Sequence, residues 1–242
     1  PAGWRLVLGA LAVTTAALVA ASDVGVRDPA WSPDGRRIAV SVLDQVRVMN
    51  PDGRNALVAA AWPQGEALVE RDPAWSRDGT RIAFAANRGD GYDIFTVPAG
   101  GGTPTRVTTL TGDERWPSWT SDDRLVFAHF DNVQWDLWVA DLRSRRPGSP
   151  IEPAQLTDTP ADETEPRVSP DGNQVLYVSN EGNEDGDPDL WVRPLPKIRD
   201  GGHLKRTLAP PAEIRDGRHL RRTSHRADRL TSAPARARGR WR

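Results

Sequence analysis

Short apolar segments separated by polar turns fill the chain from about residue 28 to residue 195. Segments of this kind are Gln45–Met49 and residues 81–85, 93–97, 136–139, 174–178 and 189–192. Their apolar residues occupy successive positions, so both faces of each predicted strand are apolar. Because sheets stacked face to face bury both faces of their strands, the pattern predicts an all-β protein made of stacked sheets.

The same turn recurs at a nearly fixed period. Residues 28–40 are repeated at 72–84, at 115–127 and at 164–177. The turn aspartates of the four copies are separated by 44, 44 and 49 residues and are Asp34, Asp78, Asp122 and Asp171. A period in the forties with strand-like units is typical of a β-propeller with about four strands per blade.

Each turn has a local explanation. In residues 31–35, Pro33 sets φ for the first turn position, Asp34 bonds its own backbone, and Gly35 accepts the positive φ that closes a hairpin. Two copies depart from this pattern. Asp123 stands where the third copy should have glycine, and Val168 replaces tryptophan in the fourth.

With its W-S-P-D-G turn followed by a D-I-F or D-L-W strand, the chain resembles the WD-repeat-like blades of TolB-type propellers. The resemblance covers four blades, from Asp28 to about Leu195. It implies a six-bladed ring, whereas residues 23–196 suffice for four blades of four antiparallel strands. Since an open ring exposes strand edges, we expect an incomplete ring that needs further blades, a distorted assembly or a capping partner.

Charge divides the chain. Residues 1–196 carry 18 Lys and Arg against 29 Asp and Glu, whereas residues 197–242 carry 14 against 4. We therefore expect an acidic propeller at 23–196 and a basic tail at 197–242. Residues 201–208 could form a last blade strand, and beyond Ala209 the scarcity of large apolar residues predicts disorder.

The first 22 residues form a separate segment. Residues 6–21 are apolar or small apart from two threonines, and they follow Arg5. We expect a secretory signal that ends before Ser22, with a membrane anchor or a buried segment as alternatives. A secretory signal would make the protein periplasmic or secreted, and an anchor would be its contact with the membrane.

Catalytic chemistry finds little support in the sequence. The G-x-S-x-G, H-E-x-x-H, Walker A and G-x-G-x-x-G patterns are absent, as is cysteine. His129 is the one histidine before the tail and is predicted to be a packed or rim residue. The acidic loop at residues 183–189 is explained better by turn chemistry than by calcium binding. We therefore predict no catalytic residue, no cofactor and no metal.

Tryptophan positions separate core from surface. Trp31, Trp75 and Trp119 share one repeat position, and Trp138 and Trp191 share another, which predicts core packing. The remaining candidates for a rim surface are Trp62, Trp116 and Trp135. The basic tail shows no nucleic-acid-binding motif, so no nucleic-acid partner is expected.

Two functions remain open. The resemblance implies a non-enzymatic binding and scaffolding module of the bacterial periplasm, with an envelope partner such as a peptidoglycan-associated lipoprotein on one propeller face. The alternative is the N-terminal propeller of a larger secreted hydrolase of the prolyl-oligopeptidase-like, tricorn-like or amidohydrolase-linked kind. In such a protein the propeller would act as a gate or as a docking module.

Overall fold

The computed structural model describes residues 25–63, 69–144, 151–182 and 186–196, with the backbone of residues 212–215 and 219–222. The predicted signal or anchor at 1–22 lies outside these residues. In the described part of the chain, no helix has the length and apolarity needed to span a membrane.

The four predicted blades are present, and each is an antiparallel sheet that follows the order of the chain. Blade 1 contains β1 (Val26–Trp31), β2 (Ile38–Val42), β3 (Gln45–Met49) and β4 (Leu57–Val58). Blade 2 contains β5 (Val69–Trp75), β6 (Arg81–Asn87), β7 (Tyr92–Pro98) and β8 (Thr105–Arg106). Blade 3 contains β9 (Asp113–Trp119), β10 (Arg124–Phe130), β11 (Trp135–Asp141) and β12 (Ala154–Gln155), with a short 3-10 helix at Leu142–Ser144. The prediction of an all-β propeller is confirmed.

Blade 4 extends into the segment that was predicted to be a tail. It contains β13 (Glu163–Val168), β14 (Gln174–Ser179) and β15 (Asp189–Pro194), followed by β16 (Ala212–Arg215) and β17 (His219–Arg222). The strand that pairs with β15 is β16. Residues 201–208, the predicted last strand, lie outside the described residues. Regular structure also continues past Ala209, because the free edge of β15 offers backbone groups that β16 pairs.

The turns form as the sequence predicts. A hydroxyl three positions before the glycine site donates to each turn aspartate, as from Ser32 to Asp34 at 2.6 Å and from Ser76 to Asp78 at 2.6 Å. The hydrogen bond from Ser76 holds the pKa of Asp78 down to about 2, and that from Ser169 does the same for Asp171. Side-chain bonding to the local backbone and hydroxyl thus fixes each hairpin.

The third turn keeps its shape without glycine. Asp123 adopts φ 64°, close to the 69° of Gly79 at the equivalent position. Aspartate tolerates this left-handed region better than most residues. Its carboxylate also pairs with Arg81 of blade 2, so the departure from glycine adds a contact between blades.

Neighbouring blades pack large side chains against small ones. The second strand of a blade turns large residues toward the preceding blade, as with Phe84 on β6 and Phe127 on β10. It turns small residues toward the following blade, as with Ala39, Ala83 and Ala128. Strands apolar on both faces are thus buried on both faces, as predicted.

A tryptophan reinforces two of these contacts. The indole Nε1 of Trp75 donates to Ala30 O at 3.1 Å, and that of Trp119 donates to Ala74 O at 3.1 Å. An arginine of the preceding blade covers each ring, with the Arg37 guanidinium 4.7 Å from the Trp75 ring centre. The equivalent contact, between Arg81 and Trp119, is 4.6 Å long. Each of these two tryptophans therefore contacts the preceding blade through both a hydrogen bond and a cation–π interaction.

Trp31 is the exception. Core packing is confirmed for Trp75 and Trp119, and for Trp191 at the second repeat position, but it is wrong for Trp31, which is 63% exposed. Among the described residues, none supplies the carbonyl and the arginine that the other two tryptophans receive.

This difference gives a matched test within one repeat position. We expect Trp119→Ala to lower the free energy of unfolding by about 3–5 kcal/mol, since it leaves a cavity and an unpaired carbonyl. Trp31→Ala should change it by less than about 1 kcal/mol. Urea denaturation followed by circular dichroism measures both, and equal losses would contradict this account of the blade contacts.

Candidate functional site

The first strands of the four blades surround a cavity of about 470 Å³. Corresponding residues of β1, β5, β9 and β13 line it, including Asp28, Asp72, Trp116 and Glu165. These four stand at one repeat position, and each is followed by proline. A volume of this size lies within the range of pockets that hold ligands.

All four residues adopt an uncommon backbone conformation. Their φ angles are 55° for Asp28, 55° for Asp72, 53° for Trp116 and 51° for Glu165. A shift in strand register occurs at this point of every blade. Such bulges re-aim side chains, and left-handed non-glycine residues cluster at functional sites. The repeat thus directs one side chain per blade to the cavity wall.

Carboxylates at this position link consecutive blades. The Asp28 carboxylate accepts a hydrogen bond from the Asp72 backbone N–H at 3.3 Å. The Asp72 carboxylate accepts one from the Trp116 backbone N–H at 3.3 Å. Asp72 is buried and also binds the Arg115 guanidinium, with Nε at 2.6 Å. Each of these two carboxylates therefore satisfies a strained residue of the next blade.

Trp116 brings an aromatic group to the third wall. The Arg115 guanidinium lies 5.0 Å from the Trp116 ring and 4.6 Å from the Tyr92 ring. The Trp135 ring packs 5.1 Å from Trp116 and 5.2 Å from Phe130. The Trp116 indole is therefore packed between a cation and a second indole.

Arginines define the other end of the cavity. Arg77 of blade 2 reaches blade 4, where its NH2 donates to Val168 O at 3.2 Å and to Ser169 O at 2.7 Å. Arg167 lies beside them on blade 4, is exposed and donates to Pro166 O. Both line the cavity, so two guanidiniums face a space whose other walls carry carboxylates.

Sequence reasoning missed a second set of acids. Glu70, Glu114 and Glu163 are each 2% exposed or less, and each precedes the repeat's proline by three residues. The recurrence of E-R-D-P, E-R-W-P and E-T-E-P at the repeat period could have revealed them. They lie between blades and not on the cavity wall.

Two of these glutamates face an aspartate of the preceding blade. Burial raises the pKa of Glu114, and the nearby Asp93 raises it further. Asp93 in turn binds Arg106 at 2.5 Å. Burial likewise raises the pKa of Glu163, which faces Asp136, to about 8. The raised pKa values favour the protonated form of both glutamates at neutral pH. A threonine hydroxyl donates to each carboxyl, from Thr108 to Glu114 and from Thr159 to Glu163. Glu70 instead accepts from Trp62 and from the Val46 backbone.

The predicted site residues are dispersed. His129 is buried on β10, packs against Trp138 at 5.3 Å, and its Nε2 lies 2.9 Å from Thr111 O, which confirms a packed histidine. The acidic loop at 183–189 lies partly outside the described residues. Within the described ranges, no group of three or more His, Cys, Asp or Glu side chains could hold a metal.

The three rim tryptophans behave differently from one another. Trp62 packs against Phe95 at 4.9 Å between blades 1 and 2, so it belongs to the core. Trp135 supports Trp116, and Trp116 lines the cavity. The prediction of a surface role thus fits Trp116 best.

Comparison with known proteins agrees with this architecture. The family model of the TolB beta propeller domain matches residues 4–185. A protein of Agrobacterium fabrum, named Uncharacterized protein Atu1656, is 29% identical over 116 residues, which are 47% of this chain and 38% of that protein. The chain thus spans well under half the length of this relative.

Solved structures share the fold. A TolB from Agrobacterium tumefaciens superposes with a TM-score of 0.58 at 22% identity, over 69% of this chain and 57% of that chain. TolB from Acinetobacter baumannii gives 0.58 at 18% identity, over 77% and 44%. A puromycin-hydrolyzing peptidase of Mycobacterium tuberculosis gives 0.53 at 18% identity, over 69% and 28%.

The protonated Glu163 predicts a pH dependence. Because the folded pKa of about 8 exceeds the ordinary 4.5, the folded state binds more protons than the unfolded state between these values. Its contribution to stability is complete below about pH 4.5 and is lost as pH rises through about 8. Glu163→Gln keeps the shape and a hydrogen-bond donor. In this variant we expect the free energy of unfolding to fall less as pH rises, by on the order of a few kcal/mol.

Thermal unfolding of both proteins between pH 5 and pH 9 measures the effect. Asp171→Asn is the control, because its exposed turn carboxylate has a pKa near 2 and stays ionised throughout this range. A decline of the same steepness in Glu163→Gln and in the parent would show that Glu163 is ionised in the fold.

Proposed function

The chain belongs to the TolB β-propeller family, and we propose that it is a non-enzymatic protein-binding module of the bacterial cell envelope that receives a partner segment in its cavity. The observation that carries this proposal is the repeated strained residue at the cavity wall. Four blades hold Asp28, Asp72, Trp116 and Glu165 at φ 51–55° and present them to one space.

A strained residue at the same position of every blade indicates that this position has a function. A left-handed non-glycine residue costs on the order of 1 kcal/mol or more, and rigid folds keep such strain where it positions functional groups. Here it arranges carboxylates, arginines and an indole around one cavity. This mixture suits a polar peptide segment with an apolar anchor.

Membership of the family supports the envelope setting and the partner that we propose. Two of the structures that share the fold are TolB proteins. The apolar residues 6–21 favour export. A peptidoglycan-associated lipoprotein is the partner we propose, bound at the cavity face, because a rigid disc of blades presents its loops and cavity as one surface.

A second candidate is the docking or gating propeller of a larger secreted hydrolase. The observation that favours it is the shared fold of a puromycin-hydrolyzing peptidase, of which the matched region is only 28%. The coding sequence downstream of residue 242 discriminates between the two candidates, since a hydrolase domain there would favour the second.

Binding at the cavity can be measured directly. We expect the soluble part of the peptidoglycan-associated lipoprotein from the same organism to bind the purified chain in isothermal titration calorimetry. Trp116→Ala should weaken this binding at least about tenfold, because a buried aromatic anchor is commonly worth more than 1 kcal/mol. The same loss is expected for Arg77→Ala.

The matched control is Arg54→Ala, which removes an exposed arginine on the outer hairpin of blade 1. It should leave the affinity unchanged. Absence of binding to the parent chain would reject the proposed partner, and equal affinity of all variants would reject the cavity as its site.

Hydrolase activity tests the non-enzymatic part of the proposal. We expect no turnover of peptide, ester or glycoside substrates by the purified chain, since His129 is buried and bonded to a backbone carbonyl. A His129→Ala variant assayed in parallel identifies the cause of any turnover. Activity that disappears in this variant would make His129 a catalytic residue and overturn the proposal.

A further inference from the structure

Two of the three contacts between blades at the cavity wall use the same device. A carboxylate of one blade accepts the backbone N–H of the bulge residue in the next blade, as Asp28 does for Asp72 and Asp72 does for Trp116. Both bonds are 3.3 Å long. At both contacts, a carboxylate on the cavity wall thus accepts the N–H of the strained residue in the next blade.

The contact between blades 3 and 4 breaks this repeat. Trp116 occupies the position of the carboxylate, and an indole offers a donor but no acceptor. In the described part of the chain, no side chain accepts from the Glu165 backbone N–H. The neighbouring contact is made differently, since Ser118 Oγ accepts from Val168 N at 2.9 Å. One acceptor position is therefore left open at the cavity wall.

Cations adjoin this open position. Arg167 lies two residues beyond Glu165 and is exposed. Arg77 is anchored at the carbonyls of Val168 and Ser169 through one terminal nitrogen, which leaves other N–H groups of its guanidinium directed elsewhere. Both line the same cavity as Trp116 and Glu165. A guanidinium beside a backbone N–H is a favourable setting for a carboxylate.

We propose that the wall between blades 3 and 4 is a subsite for a carboxylate of the partner segment, an Asp or Glu side chain or a peptide C-terminus. The ligand carboxylate accepts the Glu165 N–H, as Asp28 and Asp72 do in the other two contacts. Arg167 and Arg77 balance its charge, and the Trp116 indole forms the adjoining apolar wall. This inference rests on the proposed function and specifies the chemistry of its partner.

The Glu165 carboxylate opposes an anionic ligand. It is exposed and makes no hydrogen bond or ion pair with described residues, so it can turn toward solvent. Its removal should therefore favour the subsite. Glu165→Gln keeps the backbone N–H and the side-chain shape, which makes it a variant expected to gain affinity.

The experiment records 1H–15N spectra of the full chain during titration with the peptide acetyl-Gly-Asp-Gly-amide. We expect a saturating shift of the Glu165 amide signal and a response at least about tenfold weaker to the neutral acetyl-Gly-Asn-Gly-amide. Arg167→Ala should weaken the affinity for the acidic peptide by about tenfold or more, because a charge-assisted bond is lost. Glu165→Gln should strengthen it.

Trp116→Asp restores the carboxylate within the chain. Aspartate tolerates the required φ, as Asp28 and Asp72 show, so the fold should persist. This variant should shift the Glu165 amide without peptide and abolish the response to peptide. Arg54→Ala, on the exposed hairpin of blade 1, leaves the acceptor position open and should retain the response.

Three results would overturn the subsite. They are an equal response to the Asn peptide, an equal response to sodium sulfate, and a normal response in Trp116→Asp. If lipoprotein binding is lost in Trp116→Ala while the tripeptides give one of these results, the binding module stands and the carboxylate subsite fails. If the tripeptide responds as expected but the lipoprotein does not bind, the subsite stands and the partner is a different acidic segment.

Discussion

The contact between consecutive blades is the constraint on which the structure depends. A single blade is a small sheet with two apolar faces, and it can bury them only against neighbours. Large residues such as Phe84 meet small ones such as Ala39 at each contact. Trp75 adds a hydrogen bond to Ala30 O and accepts Arg37 over its ring. Because the repeat carries both the large and the small residues, the same packing recurs between consecutive blades, and tryptophan reinforces it at two of the three contacts.

The sequence predicted the blades because their turns are local. Ser76, Asp78 and Gly79 fix a hairpin through bonds within a few residues, and such bonds are readable from spacing alone. Trp31 could not be assigned in this way. It has the same local sequence as Trp75, but the partners of Trp75 belong to another blade, and the described residues supply none for Trp31. The buried glutamates were missed for a related reason, since a charged residue normally indicates a surface, and the burial that raises the pKa of Glu163 arises only once the blades are stacked.

The cavity shows how a repeat acquires a specific site. Identical backbone geometry places one residue of every blade on the wall, and the identity of that residue is then free to vary. Asp28 and Asp72 use the position to join blades, whereas Trp116 gives up that bond and gains contact with Arg115 and Trp135. The prediction that Trp116 belongs to a surface came from its departure from the repeated tryptophan positions. The missing acceptor for Glu165 appeared only once the blades were assembled.

Stability and binding are separated in this design. The paired acids between blades, such as Glu114 with Asp93, are buried and hydrogen-bonded, and their protonation stabilises the stacking. Both cavity acids lie at the strained bulges; Glu165 is exposed, whereas Asp28 is half-buried and bonds to blade 2. In blades 2 to 4 the buried glutamate lies two residues before the residue on the cavity wall. Because the buried acids hold the blades at a fixed spacing, the cavity acids can present charges at fixed positions to a partner without rearranging the fold.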